Sequence, residues 1–455
     1  MSDERPDLVV AGAGGGLVAA LRAAQLGLDV LVVEASEHYR QGNNTSMSTA
    51  MIPGAGSRWQ REAGIEDSPE LFLADVRKKT RGQADEALAL ALGTVSARLV
   101  EWLADDLDLP LQLVTDFHYP GHSVDRCHTV EGRHGSVLLR HLVGKVRESD
   151  RITMLVPARL IDVELEGPSG CTAVIEEADG TTIRVDTGAV LLATNGYGAD
   201  RGMVQTHLPE IAAAVYHGSE ASRGDALRIG GHLGAESAFL DAYQGHAALA
   251  KRGATLVGWS TIMRGGMMVN LSGQRFGDET TGYSEYAAQL AAQDGAEGWL
   301  VFDKRIHDDS LVFTDFQQTV ESGALVWGET LTELAAAMAV DAEVLQEEAD
   351  GLAAVSTGNG SDRFGRTSVE AALSPPFVAV RVVPALFHTQ GGLVVDGHAR
   401  VLRPDRTPIP GLYASGGAAE GISGHGAAGY LAGNGLLPAL GLAFLAAEHA
   451  ATTGT

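Results

Sequence analysis

The sequence predicts an α/β protein: a Rossmann-like domain, discontinuous in sequence, with an α+β domain inserted into it. Three observations predict this. A complete βαβ pattern with a glycine turn opens the chain, and a β-meander with a buried return strand follows between residues 152 and 196. After a middle region of different character, strands and glycine turns resume towards the C-terminus. The segments run 1–234, 235–354 and 355–455, the outer two forming one domain and the middle one the insert, as a chain of 455 residues exceeds one ordinary core.

Asp7 to Glu34 reads strand, glycine turn, small-residue helix, strand and terminal acid. Glycines let the backbone approach a pyrophosphate, and the helix that follows points its positive end at the phosphates. With Gly12 and Gly14 in the first two places of the fingerprint the third falls on Leu17, so Gly16 is the helix-packing glycine and Gly15 part of the turn. Glu34, followed by Ala35, is placed to accept hydrogen bonds from ribose hydroxyls. The unit predicts dinucleotide binding.

Next comes the small polar segment "QGNNTSMS", Gln41 to Ser48, then Ala/Leu/Glu/Asp-rich helical spacing in "ELFLADVRKKT" and "SARLVEWLADDL". Alternation in "ARLIDVELEG" and "CTAVIEE", with a turn at "ADGTT", predicts the meander, and "AVLLATNGYG" the return strand. The middle region carries "TIMRGGMMVNLSGQRFGDET" and two helical stretches, Glu285 to Gln293 and Glu329 to Ala353; "STGNGSDRFGR" reads as a linker. The last part holds "HTQGGLVVD", "GLYASGG" and "GYLAGN", then an apolar helix in which Pro438 is acceptable only near the start.

A formal charge of −25 without a Lys/Arg cluster argues against nucleic-acid partners. Cys127 and Cys171 form no C-x-x-C, which excludes disulfide-reductase chemistry and a thiolate metal site; no metal is expected. The charged N-terminus runs straight into a strand, leaving no room for a signal peptide. The longest apolar run, Leu436 to Ala447, is shorter than a membrane span. These features predict a cytoplasmic protein without a membrane span. Its partner is a small-molecule substrate; electron acceptor and oligomeric state are left open.

Five pieces in one order, the βαβ unit, "GNNTSMS", "GQRFGDE", "HTQGG", and "GLYASGG" leading to "GYLAGNGLL", resemble the fumarate reductase/succinate dehydrogenase flavoprotein superfamily, which includes the 3-ketosteroid dehydrogenases. The resemblance spans essentially the whole chain. It implies an FAD-binding domain of the fumarate reductase/glutathione reductase type, a mobile capping domain, and a site between them over the flavin face. It favours FAD over NAD, with the diphosphate and ribityl chain held by Asn43, Asn44, Thr45, Ser46 and Ser48. Further FAD contacts are expected at position 159 (Arg159, beside Ala158), Thr194, Asn195, Gly196, Asp225, Gly417, Asn434, Gly435, Leu436 and Leu437. The N-terminal amides of the last helix would stabilise negative charge on the reduced flavin.

By the same resemblance, His388 and Thr389 match a His-Thr pair holding a substrate oxygen, and Glu279 ends the "GQRFGDE" segment as the acid that binds substrate or relays protons. Fumarate reductases carry an arginine shortly after that acid; here Thr280, Thr281, Gly282 and Tyr283 follow, and Glu279 to Tyr283 fits the ketosteroid dehydrogenase spacing, whose tyrosine abstracts the proton. Such a tyrosine needs help, since its ordinary pKa is about 10. Where fumarate reductases clamp a carboxylate with arginine, this chain has Tyr430, a donor of one hydrogen bond, and Gly433 N–H is the second enolising donor. Arg264 and Arg305 could hold a carboxylate or form surface pairs, and Tyr283 could equally be a packed aromatic beside Tyr286.

The expected activity is interconversion of CH–CH and C=C beside a carbonyl, in the form of α,β-dehydrogenation of a small or medium cyclic ketone or keto acid. An ene-reductase of an unsaturated carboxylate is the alternative within this chemistry. A non-catalytic flavin-binding protein is the alternative outside it.

Overall fold

The apolar runs LVVA and VLVV form the first two strands, Leu8–Ala11 (β1) and Val30–Val33 (β2), of a six-stranded sheet in the computed structural model of the chain. The structure describes residues 5–119, 121–167 and 170–453. Ile152–Leu155 (β3), Ala189–Leu192 (β4), Arg400–Leu402 (β5) and Pro408–Ala414 (β6) complete the sheet in the order β5-β6-β4-β1-β2-β3. All neighbours are parallel except β5, which pairs antiparallel at the edge. β1, β2 and β4 read as continuous apolar runs because helices cover both faces of a parallel sheet. Gly16–Gln25 (α1) and Leu436–Thr453 (α2) are two such helices, joined by Arg22 Nη2 donating to Glu448 Oε1 at 2.7 Å. The meander forms as expected: Ala158–Leu165, Cys171–Glu177 and Thr182–Thr187 make an antiparallel three-stranded sheet between β3 and β4 in the chain.

These elements belong to a first unit, residues 1–208, 218–243 and 388–455. A second unit comprises 209–217 and 244–387. Its sheet is built on the long strand Phe377–Thr389, whose last two residues already count with the first unit. That strand pairs antiparallel with Gly298–Asp303 and Leu325–Gly328 and parallel with Val215–Tyr216. The boundaries therefore differ from those read in the sequence: the return falls at His388 rather than 355, and 209–217 joins the middle region. "FVAVRVVPALF" shows no break in composition, so the change of unit at its end carried no signal.

The expected linker "STGNGSDRFGR" is packed into the second unit by charge. Arg275 Nη1 donates to Asp362 at 2.5 Å and Arg363 Nη2 to Glu348 at 2.5 Å. The helical stretch 329–353 is two helices, Leu331–Met338 and Ala342–Ser356. Ala339 leaves the first in a left-handed conformation (φ 56°), and the Asp341 carboxylate caps the second by accepting Glu343 and Val344 N–H.

Among the described residues two helices, Glu86–Asp105 and α2, are long and apolar enough to cross a membrane, so α2 outruns the apolar stretch read in the sequence. More than half of each is buried inside the protein, as in core helices. Cys127 and Cys171 are buried free thiols, pushed up by burial to about 12 and about 11, which leaves them unreactive. No group of His, Cys, Asp and Glu among the described residues is placed to hold a metal ion.

Candidate functional site

The glycine turn between β1 and α1 is closed on three sides by protein. Gly12 sits at φ +112°, and a Cβ there would stand 2.3 Å from Ala193 O. A Cβ at Gly15 would stand 2.6 Å from Ala439 O on α2, and at Gly16 2.7 Å from Val10 Cγ1. Gly14 faces Thr45, whose Oγ1 would be 2.9 Å from its Cβ. Glu34 Oε2 accepts Ala13 N–H (2.7 Å) and Oε1 accepts Ser36 N–H (2.8 Å), so the acid holds the turn from below while Ala35 is exposed. Burial raises the Glu34 pKa, and the amide donors oppose that rise.

The polar segment forms the short helix Asn44–Met47. Asn43 and Ser46 cap it reciprocally, which commits both side chains locally. Asn44 Oδ1 accepts Asn195 Nδ2–H (2.9 Å) and Ser219 N–H (3.0 Å); Ser48 Oγ donates to Thr45 O (2.8 Å). Asn195 takes a left-handed φ of 63°, and a Cβ on Gly417 would lie 2.5 Å from its Oδ1. A Cβ on Gly196 would lie 1.9 Å from Thr389 Oγ1. Asp225 is buried and spent on Arg159 and Arg228, so it and Arg159 neutralise each other instead of offering charge to a ligand.

In the same unit Thr194 Oγ1, Ser415 Oγ, Asn434 Oδ1 and both amide atoms of Gln390 are buried without a partner among the described residues. Orphaned buried polar atoms are costly, and a polar ligand relieves that cost. Together with the glycine turn, these residues fit FAD. Gln390 and Ser415 were missed in the sequence, although they lie inside "HTQGG" and "GLYASGG".

At the start of α2, which begins with Leu436 and Leu437, His388 and Tyr430 meet edge to face with ring centroids 6.3 Å apart. A Cβ on Gly435 would lie 2.9 Å from His388 Nε2 and 3.9 Å from Tyr430 Oη, so both polar tips face this glycine. His388 Nδ1 donates to Thr389 O (3.2 Å), and burial lowers the imidazole pKa to about 4. A neutral ring with its proton on Nδ1 presents Nε2 as an acceptor. His388 in this tautomer therefore cannot donate to a substrate oxygen, the role the resemblance implied. Thr389 is fully buried and its Oγ1 accepts Tyr197 N–H (3.2 Å). Gly433 sits at φ +89° with its Cα against Pro53, where a Cβ would fall 2.3 Å from Cδ.

In the second unit Tyr283 is half-buried at the start of the helix Tyr283–Ala291. His246 stacks on it, centroids 5.0 Å apart and planes at 23°, and on Phe387 (5.6 Å, 16°), with Trp259 edge-on (5.8 Å, 89°). His246 Nδ1 accepts Ala248 N–H (3.0 Å), and burial lowers its pKa to about 3, so it is neutral with the proton on Nε2. Sequence reading missed His246, whose run "YQGHAALA" looks like any buried strand.

Glu279 is fully buried. Arg275 closes on it with Nε to Oε1 at 2.8 Å and Nη2 to Oε2 at 2.6 Å, and Arg366 reaches Oε2 at 3.4 Å. An arginine is thus supplied to the acid, but from the expected linker rather than the residues that follow it. Met268 N–H also donates to Oε1 (3.2 Å), which leaves this carboxylate a structural hub and not a substrate ligand. Arg264 pairs with exposed Asp309, and Arg305 with exposed Glu370 (3.2 Å) and with Arg264 O (2.8 Å), so both form surface pairs.

The chain is 28% identical over 432 residues to an NADH:fumarate oxidoreductase of Klebsiella pneumoniae (strain 342), covering 92% of this chain and 45% of that one. The chain thus spans under half of that relative's length. It is 28% identical to a 4-oxocyclohexanecarboxylate 2-dehydrogenase of Sinomonas cyclohexanicum, covering 94% of this chain and 92% of that one. Its fold matches a flavocytochrome c3 fumarate reductase in the open conformation, with TM-score 0.83, 26% identity, and coverage of 99% and 78%. The fold also matches a 3-ketosteroid Δ1-dehydrogenase of Sterolibacterium denitrificans, with TM-score 0.78, 22% identity, and coverage of 99% and 100%. Residues 7–436 match the family model described as "FAD binding domain". The glycine turn, the acid that braces it and the orphaned polar atoms are those of a cofactor site, and the chain belongs to this FAD-binding family.

Proposed function

We propose that the protein is an α,β-dehydrogenase of a small or medium cyclic ketone or keto acid. The coarser activity is that of an FAD-dependent oxidoreductase acting on CH–CH and C=C groups. One observation carries the narrower reading: Arg264 and Arg305, the two arginines considered for a substrate carboxylate, are committed to Asp309 and Glu370, while by the family resemblance Tyr283 and Tyr430 fall where a dicarboxylate enzyme carries arginine. A relative matched over 92% of its own length and named for a cyclic keto acid supports it.

FAD, which the glycine turn from Gly12 to Gly16 with Thr194, Gln390, Ser415 and Asn434 would hold, would supply a two-electron acceptor for the hydride lost from the carbon β to the carbonyl. Tyr430 donates a hydrogen bond to the ketone oxygen, and Gly433 N–H is the second donor. These contacts acidify the α C–H by stabilising the developing enolate. Tyr283, as the phenolate, takes the α proton and becomes the neutral phenol. Stacking on neutral His246 holds the plane of the Tyr283 ring. Neutral His388, with its proton on Nδ1, does not donate to the ketone oxygen, which leaves the donor role to Tyr430 and Gly433.

The second reading is reduction of an unsaturated carboxylate by the reverse steps, favoured by the relative named for fumarate. Anaerobic mixing of the oxidised holoenzyme with cyclic ketones, keto acids and saturated dicarboxylates, and of the reduced holoenzyme with enones and enoates, tests both. Flavin bleaching by ketones or keto acids alone supports the first reading; oxidation of the reduced enzyme by enoates but not enones supports the second.

A further inference from the structure

The peptide between Ala432 and Gly433 is held from its carbonyl side by a buried chain of donors. His122, only 4% exposed, donates Nε2–H to Ala432 O at 3.0 Å. Its Nδ1 accepts from Arg126 Nη1 at 3.2 Å. A carbonyl has no proton to give and a guanidinium cannot accept one, so the two contacts admit a single state: neutral imidazole with its proton on Nε2. Burial and the Arg126 charge lower the His122 pKa to about 4, in keeping with that state. Arg126 is itself fixed by Asp67 (Nε to Oδ2 2.9 Å, Nη2 to Oδ1 3.0 Å), by Asp75, and by the Phe72 ring below it (5.4 Å). Cys127 Sγ lies 3.9 Å from the same Ala432 oxygen.

We infer that His122 is a positioning residue for substrate activation: it orients and polarises the Ala432–Gly433 peptide so that Gly433 N–H serves as a donor to a ketone or enolate oxygen. The inference rests on the reading of Gly433 as an enolising donor. Two physical points carry it. C=O and N–H of one trans peptide lie antiparallel in one plane, so whatever fixes Ala432 O fixes the direction of Gly433 N–H. A hydrogen bond to the carbonyl withdraws charge from the amide nitrogen, and chained donors strengthen one another. The Arg126 cation on Nδ1 makes Nε2–H a stronger donor, and this is relayed to Gly433 N–H, which has no acceptor among the described residues. A structural role alone would need a donor to Ala432 O, but not one sharpened by a buried guanidinium.

Substituted phenols, whose phenolates mimic the enolate oxygen, test this on the holoenzyme through the flavin absorbance change on binding. His122→Phe keeps the ring shape without the donor, and His122→Asn is a polar second variant too short to reach Ala432. Both are expected to weaken phenolate binding about ten-fold with unchanged FAD content, and to flatten the dependence of affinity on phenol acidity. His122→Gln, with an amide N–H near the Nε2 position, is expected to recover most of the loss. Unchanged phenolate affinity in both donor-less variants, or no recovery with His122→Gln, overturns the inference. Failure of the wild-type holoenzyme to bind phenolates overturns the reading of Gly433 as well; loss in Tyr430→Phe with no change in His122→Phe overturns the inference alone.

Discussion

Arg275 meets Glu279 through two parallel hydrogen bonds of 2.8 and 2.6 Å, with both side chains buried. Arg366 joins the same carboxylate and also donates to Gly266 O and Ile262 O. The cluster therefore ties three segments of the second unit together. Removing one partner of a buried pair strands the other charges, which costs about 3–5 kcal/mol. Glu279→Ala is expected to lower unfolding stability by that order in urea titrations. A proton-relay role would instead slow turnover without loss of stability.

Gly15→Ala places a methyl 2.6 Å from the backbone oxygen of Ala439, which cannot yield as a side chain would. The expected result is loss of bound FAD, read as the ratio of visible to protein absorbance after purification. Gly144→Ala, where nothing lies within 4 Å of the new Cβ, is the control and should retain flavin.

Stability should fall as the solution is acidified. Burial lowers His122, His128 and His388 to about 4 and His246 to about 3, so between the ordinary histidine value of 6.5 and those values the unfolded chain binds protons that the folded one refuses. Glu420 acts in the opposite sense: burial pushes it to about 7, so the folded state takes up its proton first. Unfolding between about pH 6 and pH 5 should take up protons on balance and the urea midpoint should drop. Glu420→Gln, which removes the opposing group, should make the drop steeper.

The stack of His246 on Tyr283 predicts an order among variants. His246→Phe keeps a ring against the phenol; His246→Ala removes it. A stacked aromatic pair is worth roughly 1 kcal/mol, so His246→Ala should lower turnover at least several-fold more than His246→Phe. Equal turnover in the two would assign His246 to something other than holding the phenol.

Much of the first unit was legible because parallel strands, glycine turns and small-residue helices leave period and punctuation in the sequence. "LVVA", "VLVV" and "AVLL" are strands where expected, and Gly12 to Gly16 close the turn. The candidate site was half legible. Motifs drew attention to Tyr283 in one unit and to Tyr430 and His388 in the other, but the neutral tautomer of His388 depends on a carbonyl contact that no motif encodes. Arg366 meets Glu279 across 87 residues of chain, and His122 reaches Ala432 across 310. Such pairings are made by tertiary packing, so local spacing carries no trace of them. The unit boundary at His388 was hidden for a similar reason, since one unbroken strand crosses it.

Anaerobic stopped-flow reduction of the flavin by 4-oxocyclohexanecarboxylate, in wild type and in Tyr283→Phe, tests the central claim that the Tyr283 phenolate takes the α proton. With FAD content unchanged, the variant should bleach about 10²–10⁴-fold more slowly, the range expected for loss of a positioned proton acceptor. Bleaching of Tyr283→Phe at the wild-type rate would contradict the account.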